Sequence, residues 1–158
     1  MKDNEIDLLH IMKYGFSSLS FLDSIPKVEK YCGLPDDSID PIKKRNGIYA
    51  YFLEEKYCNY GIEKTEFFYT REKIVTNVTI GISTKGYFAG GNFMPIYCKS
   101  IIDYSNTNDF QKFLSQNKID YEIDNIQSDE DYLYYLLANK VDVIFSKLSK
   151  SIVKVSAH

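Results

Sequence analysis

The first part of the chain alternates short amphipathic segments with glycine or proline stops. Residues 4–14 carry apolar side chains at helical spacing and end at Gly15, which predicts a first helix. Ser24 followed by Pro26 has the composition of a helix N-terminus, and the apolar stripe behind it ends at Gly33. We therefore expect two short helices in this region.

The middle of the chain changes to the two-residue alternation of β-strands. Strands are predicted over Gly47–Leu53, Ile62–Thr70 and Ile74–Ile82. The last of these places four apolar residues on one face, namely Ile74, Val78, Ile80 and Ile82. The polar residues 71–73 predict a tight turn, so the pattern indicates an antiparallel meander with one covered face.

Residues 84–100 are ambiguous, and helical and strand signals return after them. Phe93–Cys98 has strand-like composition that Pro95 interrupts, and Asn108 is placed to cap a helix over Asp109–Gln116. Strand patterns at Val141–Phe145 and Ile152–Val155 predict a closing hairpin.

A further helix is predicted over Asp129–Ala138. Ser128 and Asp131 have the spacing of a capping box, in which each side chain satisfies the other's backbone N–H. At helical spacing three leucines share the buried face, namely Leu133, Leu136 and Leu137. Tyr132 and Tyr135 then belong to a different, exposed face.

These elements predict an α+β fold, with an antiparallel meander and helices packed on one face of the sheet. We expect a single domain over residues 1–158. Residues 65–80 resemble 141–157, since each is a strand, a short basic turn and a β-branched strand. One interpretation is a pair of helix-plus-meander repeats over 20–83 and 108–157; the other is that all small hairpins look alike.

Composition bears on the compartment. The chain is 44% hydrophobic and 26% charged, and no apolar run approaches the roughly 20 residues of a membrane helix. Its first residues are acidic where a secretory signal is basic, so we expect a cytoplasmic protein. Cys32, Cys58 and Cys98 form no Cys-x-x-Cys pair, which predicts reduced and mostly buried thiols.

Catalytic signals are sparse. The chain has two histidines, His10 within a helical pattern and His158 at its end, and neither has the neighbours of a catalytic or zinc motif. The glycine-rich residues 86–92 lack the spacing of a phosphate-binding loop. Paired carboxylates such as Glu63 and Glu66 leave open an enzyme that works through acids alone. We expect no enzyme, no metal and no cofactor.

The most informative segment is residues 103–131, which holds eight acidic and two basic residues. Its net charge of −6 compares with −3 for the whole chain, so the remainder is basic. One interpretation is that Asp129, Glu130 and Asp131 stabilise the N-terminus of the helix they begin. The other is a surface that steers a basic partner, assisted by tyrosine rings. The partner-binding residues then expected are Asp120, Glu122, Asp124, Asp129, Glu130, Asp131, Tyr132 and Tyr135.

A family resemblance rests on the order of three features. A short helix ends in Gly-Leu-Pro-Asp-Asp at 33–37, Asn-Tyr-Gly-Ile-Glu follows at 59–63, and an aromatic strand precedes the β-branched strand at 74–82. This order is similar to the layout of bacterial immunity proteins of contact-dependent inhibition and other polymorphic toxin systems. It is also loosely similar to the repeat of β-lactamase inhibitory proteins. The resemblance covers about 20–83 and, through the internal similarity, 108–157.

The resemblance implies a cytosolic antitoxin that binds a toxin, in many cases a basic nuclease, and performs no chemistry itself. A net charge of −3 is unfavourable for direct nucleic-acid binding and fits a basic protein partner. We therefore expect an immunity protein whose partner is a cognate toxin, with no nucleic acid or membrane contact. The alternatives are a scaffold or regulatory protein with a different partner, and a small-molecule enzyme.

Overall fold

Strands outnumber helices in this computed structural model, which describes residues 6–52, 62–82, 96–97, 107–148 and 151–158. The helical segments are α1 (Leu8–Tyr14), a 3-10 helix (Phe16–Leu22), α2 (Ile25–Cys32) and α3 (Thr107–Gln116). The strands are β1 (Ile6–Asp7), β2 (Asp37–Ile39), β3 (Gly47–Phe52), β4 (Ile62–Tyr69), β5 (Val75–Ile82), β6 (Ile96–Tyr97), β7 (Tyr121–Ile123), β8 (Tyr132–Leu137), β9 (Val141–Ser146) and β10 (Ser151–Ala157).

The helix boundaries follow the stop signals in the sequence. Ser24 is extended before α2, proline occupies the first turn, and Gly33 ends the helix with a φ of 77°. Gly15 ends α1 with a φ of 74°, a conformation that favours glycine. A Cβ at Gly15 would lie 2.5 Å from the carbonyl oxygen of Asn139, so this glycine also allows α1 to approach the β8–β9 turn closely.

Eight strands form one antiparallel sheet in the order β2-β3-β4-β5-β10-β9-β8-β7. The helices contribute Met12, Leu22, Val28 and Phe110 to a core that includes alternate residues of the central strands. The predicted α+β class, with an antiparallel meander and helices on one face, is confirmed. In a separate two-stranded sheet, β1 pairs in parallel with β6.

The sheet is symmetric about the β5–β10 pair. Four sequential strands lie on each side, so β2–β5 mirrors β7–β10. A row of paired residues, one from each strand, shows the same symmetry. From either edge to the central pair the row holds an acid, an apolar residue, an acid and a hydroxyl: Asp37, Ala50, Glu66 and Thr79 from one edge, and Glu122, Leu136, Asp142 and Ser156 from the other. Two helix-plus-meander repeats would give this order. The single domain and the repeats over 20–83 and 108–157 stay predictions.

The predicted helix over residues 129–138 is wrong, because residues 132–137 form strand β8. Strand alternation buries Tyr135 and Leu137 and leaves Leu136 half-exposed. The side chains around the expected capping box instead hold a turn: the Ser128 hydroxyl accepts from the backbone N–H of Tyr134, and the Oδ1 of Asp129 accepts from the backbone N–H groups of Asp131 and Tyr132. Short polar side chains stabilise such turns as readily as helix N-termini.

The expected face of the strand over 74–82 is also partly wrong. A β-bulge at Thr76 interrupts the pairing of β4 with β5. Phe68 pairs with Asn77, but the next residue, Tyr69, pairs with Val75, so Thr76 is an extra residue on β5. The extra residue brings Val75 to the core face, where it is buried with Val78, and leaves Ile74 exposed.

The other predicted elements are confirmed within one or two residues, except that β1 replaces the start of the first helix. Ile96–Tyr97 lies within the predicted strand at 93–98. Cys32 is buried as expected. Several expectations lie outside the described residues, namely those on residues 4–5, Cys58, Cys98, the 59–61 part of the motif and the glycine-rich 86–92.

Candidate functional site

The expected partner-binding residues surround one edge of the sheet. Six of the eight lie on the edge strand β7, beside it, or in the long turn that leads to β8, and Tyr132 is the first residue of β8. The acidic turn is defined here as residues 120–132, which contain six carboxylates and neither lysine nor arginine. Of the expected residues within it, Asp124 is half-exposed and the others are exposed, namely Asp120, Glu122, Asp129, Glu130, Asp131 and Tyr132.

Asp124 organises the first half of the acidic turn. Its Oδ1 accepts from the backbone N–H groups of Ile126 at 3.0 Å and Gln127 at 3.2 Å. Its Oδ2 accepts from the Gln127 side-chain amide at 2.7 Å. These donors, led by the Gln127 side chain, stabilise the carboxylate and hold the pKa of Asp124 below its ordinary value. Asp124 is therefore charged and committed to turn structure at neutral pH.

Asp129 organises the second half in the same way. Its Oδ1 accepts from the backbone N–H groups of Tyr132 and Asp131, both at 2.8 Å, and these bonds lower its pKa. The hydroxyl of Ser128 accepts from the backbone N–H of Tyr134 at 3.0 Å. Because no helix begins here, the helix-dipole interpretation of residues 129–131 does not apply. These acids instead form an exposed, hydrogen-bonded turn.

The β9–β10 hairpin also holds the acidic turn in place through hydrogen bonds. Lys147, at the β9–β10 turn, donates from its backbone N–H to the Asp131 carbonyl oxygen at 2.8 Å. Its Nζ donates to the Asp129 carbonyl oxygen at 2.6 Å. The ammonium group thereby bonds to the backbone of the turn, and its charge contributes to the lowered pKa of Asp129.

Tyr135 does not belong to this surface, which corrects the expectation from the sequence. It is fully buried, its ring centroid lies 4.9 Å from that of Phe110, and its hydroxyl accepts from the Gln111 amide at 3.3 Å. Tyr132, three residues earlier, is 40% exposed at the end of the acidic turn. The helical assumption placed both rings outside, whereas strand geometry places them on opposite faces.

The sequence interpretation missed two apolar residues at this end of the sheet. Ile126 is 96% exposed within the acidic turn, and Leu148 is 89% exposed in the neighbouring β9–β10 turn. A single aliphatic residue inside a polar stretch is equally typical of a core contact, so the sequence carried no clear signal of their exposure.

Other chemistry-bearing groups contact structural neighbours. His10 packs against the Tyr14 ring, and the Nε2 of His158 lies 3.1 Å from a carboxylate oxygen of Asp142. Among the described residues, no three His, Cys, Asp or Glu side chains are grouped to hold a metal ion. No helix in the same residues is long and apolar enough to cross a membrane.

Comparisons with protein-family models, with curated proteins and with solved structures found no match.

Proposed function

We propose that this chain is an immunity protein that binds a basic cognate toxin through the acidic turn and neutralises it. The observation that carries the proposal is the turn itself, whose residues hold six carboxylates and neither lysine nor arginine, so that the Lys147 ammonium bonded to its backbone offsets one charge of six. Four of these carboxylates belong to exposed residues, and their oxygens accept none of the bonds described for the turn: Asp120, Glu122, Glu130 and Asp131.

The order of the turn supports binding over simple solubility. A disordered acidic segment would lose conformational entropy when it binds, and that loss would weaken the complex. Here Asp124 and Asp129 together accept five hydrogen bonds, four of them from backbone N–H groups of the turn. The backbone that carries Glu130 and Asp131 is thus ordered before the partner arrives.

The charge of the turn supports a basic partner. Complementary charge steers encounter and raises association rates, up to about 10⁸–10⁹ M⁻¹s⁻¹ at low salt. Nucleases are basic around their active sites because they bind phosphates. A nuclease toxin in the cytoplasm, whose active-site surface the acidic turn covers, is therefore the partner that we propose.

Co-expression tests the proposal. The product of the neighbouring open reading frame should arrest growth when expressed alone, and co-expression of this chain should restore growth. A double reversal in the turn, Glu122→Lys with Glu130→Lys, should reduce the rescue. A control double reversal of exposed acids in the other half of the sheet, Asp40→Lys after β2 with Glu72→Lys in the β4–β5 turn, changes net charge equally and should rescue fully.

A neighbouring product that is not toxic, or that wild type does not neutralise, would contradict the proposed function. Equal rescue by both double variants would mean that the protein inhibits the toxin without using the acidic turn.

A further inference from the structure

Three large aliphatic side chains on the described part of the surface are more than three-quarters exposed: Ile126, Leu148 and Leu34. One exposed aliphatic residue is ordinary on a protein surface and calls for no explanation. Position distinguishes these three. Leu34 lies between α2 and β2, at the opposite edge of the sheet from β7, whereas Ile126 and Leu148 belong to neighbouring turns.

The pairing of β8 with β9 brings those two turns to the same end of the sheet. Tyr132, the first residue of β8, pairs with Ser146, the last residue of β9. The next residue, Lys147, bonds through its backbone to Asp131 and through its side chain to Asp129. Leu148 therefore follows directly after the residue that joins the two turns.

The position of Ile126 is fixed by its own backbone. Its N–H donates to the Asp124 carboxylate at 3.0 Å, inside the hydrogen-bonded part of the acidic turn. Carboxylates of the same turn flank it in the sequence on both sides. An exposed apolar side chain on a fixed backbone, with carboxylates before and after it in the sequence, has the composition of an interface hot spot with an apolar centre and a polar rim.

We infer that Ile126 and Leu148 are the apolar contact residues of the partner interface, and that they insert into an apolar cleft bordered by basic side chains. This inference rests on the proposed function and adds the source of its affinity. The carboxylates accelerate association, while the two aliphatic side chains slow dissociation, since their burial removes apolar surface from water. The partner is a basic protein with such a cleft, because a uniformly charged surface would leave both side chains in water.

Dissociation kinetics against the purified product of the neighbouring reading frame test the inference. Ile126→Ala and Leu148→Ala should each accelerate dissociation about 10- to 100-fold, the effect of withdrawing one buried aliphatic side chain. Their association rates should change less than about twofold, because no charge is altered. The matched control, Leu34→Ala, should dissociate like wild type.

Unfolding in urea separates binding from folding. All three alanine variants should keep the wild-type midpoint, since side chains this exposed contribute little to the core. A lowered midpoint for Ile126→Ala and Leu148→Ala would overturn the inference in favour of a structural role. If wild type binds the product and both variants dissociate from it at the wild-type rate, the inference is wrong and the proposed function stands. Failure of wild type to bind that product would overturn the proposed function and the inference together.

Discussion

Tyr132 and Tyr135 provide a direct energetic test of the strand that flanks the acidic turn. Tyr135 is fully buried, with ring neighbours Phe110 at 4.9 Å and Tyr121 at 5.6 Å. Tyr135→Ala removes a buried aromatic side chain and should lower the free energy of unfolding by about 3–5 kcal/mol. Tyr132→Ala removes a ring that is 40% exposed and should lower it by about 1 kcal/mol or less.

Urea denaturation followed by circular dichroism measures both variants. A domain of this size has a total stability of about 5–15 kcal/mol, so Tyr135→Ala approaches the limit of folding. Tyr135→Phe keeps the ring and loses only the bond from Gln111, and it should cost about 1 kcal/mol. Equal losses for the two alanine variants, or a larger loss at Tyr132, would refute the strand register that places the two rings on opposite faces of the sheet.

Three further predictions concern single groups. Thr65 has a fully buried hydroxyl that lacks a hydrogen-bond partner among the described residues, so Thr65→Val should raise the free energy of unfolding by about 1 kcal/mol in urea denaturation. Tyr49 donates to the Glu29 carboxylate at 2.6 Å, and this bond, with burial, raises its pKa from 10.0 to about 12. Folding favours the neutral phenol of Tyr49, so its contribution to the free energy of unfolding is complete below pH 10 and is lost as pH rises through about 12. The unfolding free energies of wild type and Tyr49→Phe, compared across this alkaline range, measure that contribution. The bonds from Gln127 lower the pKa of Asp124, so its contribution to the free energy of unfolding is complete above pH 3.8 and is lost as pH falls through the lower folded value; the protection of the Gln127 amide from hydrogen exchange, relative to its intrinsic rate, should fall there.

The sequence was most informative where a single type of local signal was present. Ser24, Pro26 and Gly33 all favour one helix, and α2 forms between them. Two runs rich in β-branched residues, separated by a short polar stretch, likewise located β9 and β10. Where local chemistry and sequence period agree, tertiary contacts do not have to decide the structure.

The second half of the site was not predictable for two physical reasons. Residues 132–137 are apolar or aromatic at every position, so their sequence has no period that separates helix from strand. Ser128 and Asp129 supply side-chain acceptors that suit a helix N-terminus and a turn equally. The charge of the segment was evident from sequence, whereas the direction of Tyr135 depends on strand pairing that only the structure provides.

The bulge in β5 is a third example. Alternation from Ile82 backwards assigns Ile74 to the core face, and one extra residue at Thr76 exchanges it with Val75. The sequence around Thr76 contains no glycine or proline to mark the irregularity. Only the pairing of Tyr69 with Val75 reveals it.

Association kinetics over a range of salt concentrations test the central claim most directly. The rate for wild type and the toxin should fall steeply as salt rises, because screening shortens the reach of the acidic turn. Glu122→Lys with Glu130→Lys should associate slowly with little salt dependence, whereas Asp40→Lys with Glu72→Lys should retain both the rate and the dependence. Both acidic-turn positions are exposed and accept none of the bonds that hold the turn, so the fold is spared. Identical rates and slopes for the two double variants would contradict the claim that the acidic turn meets the partner.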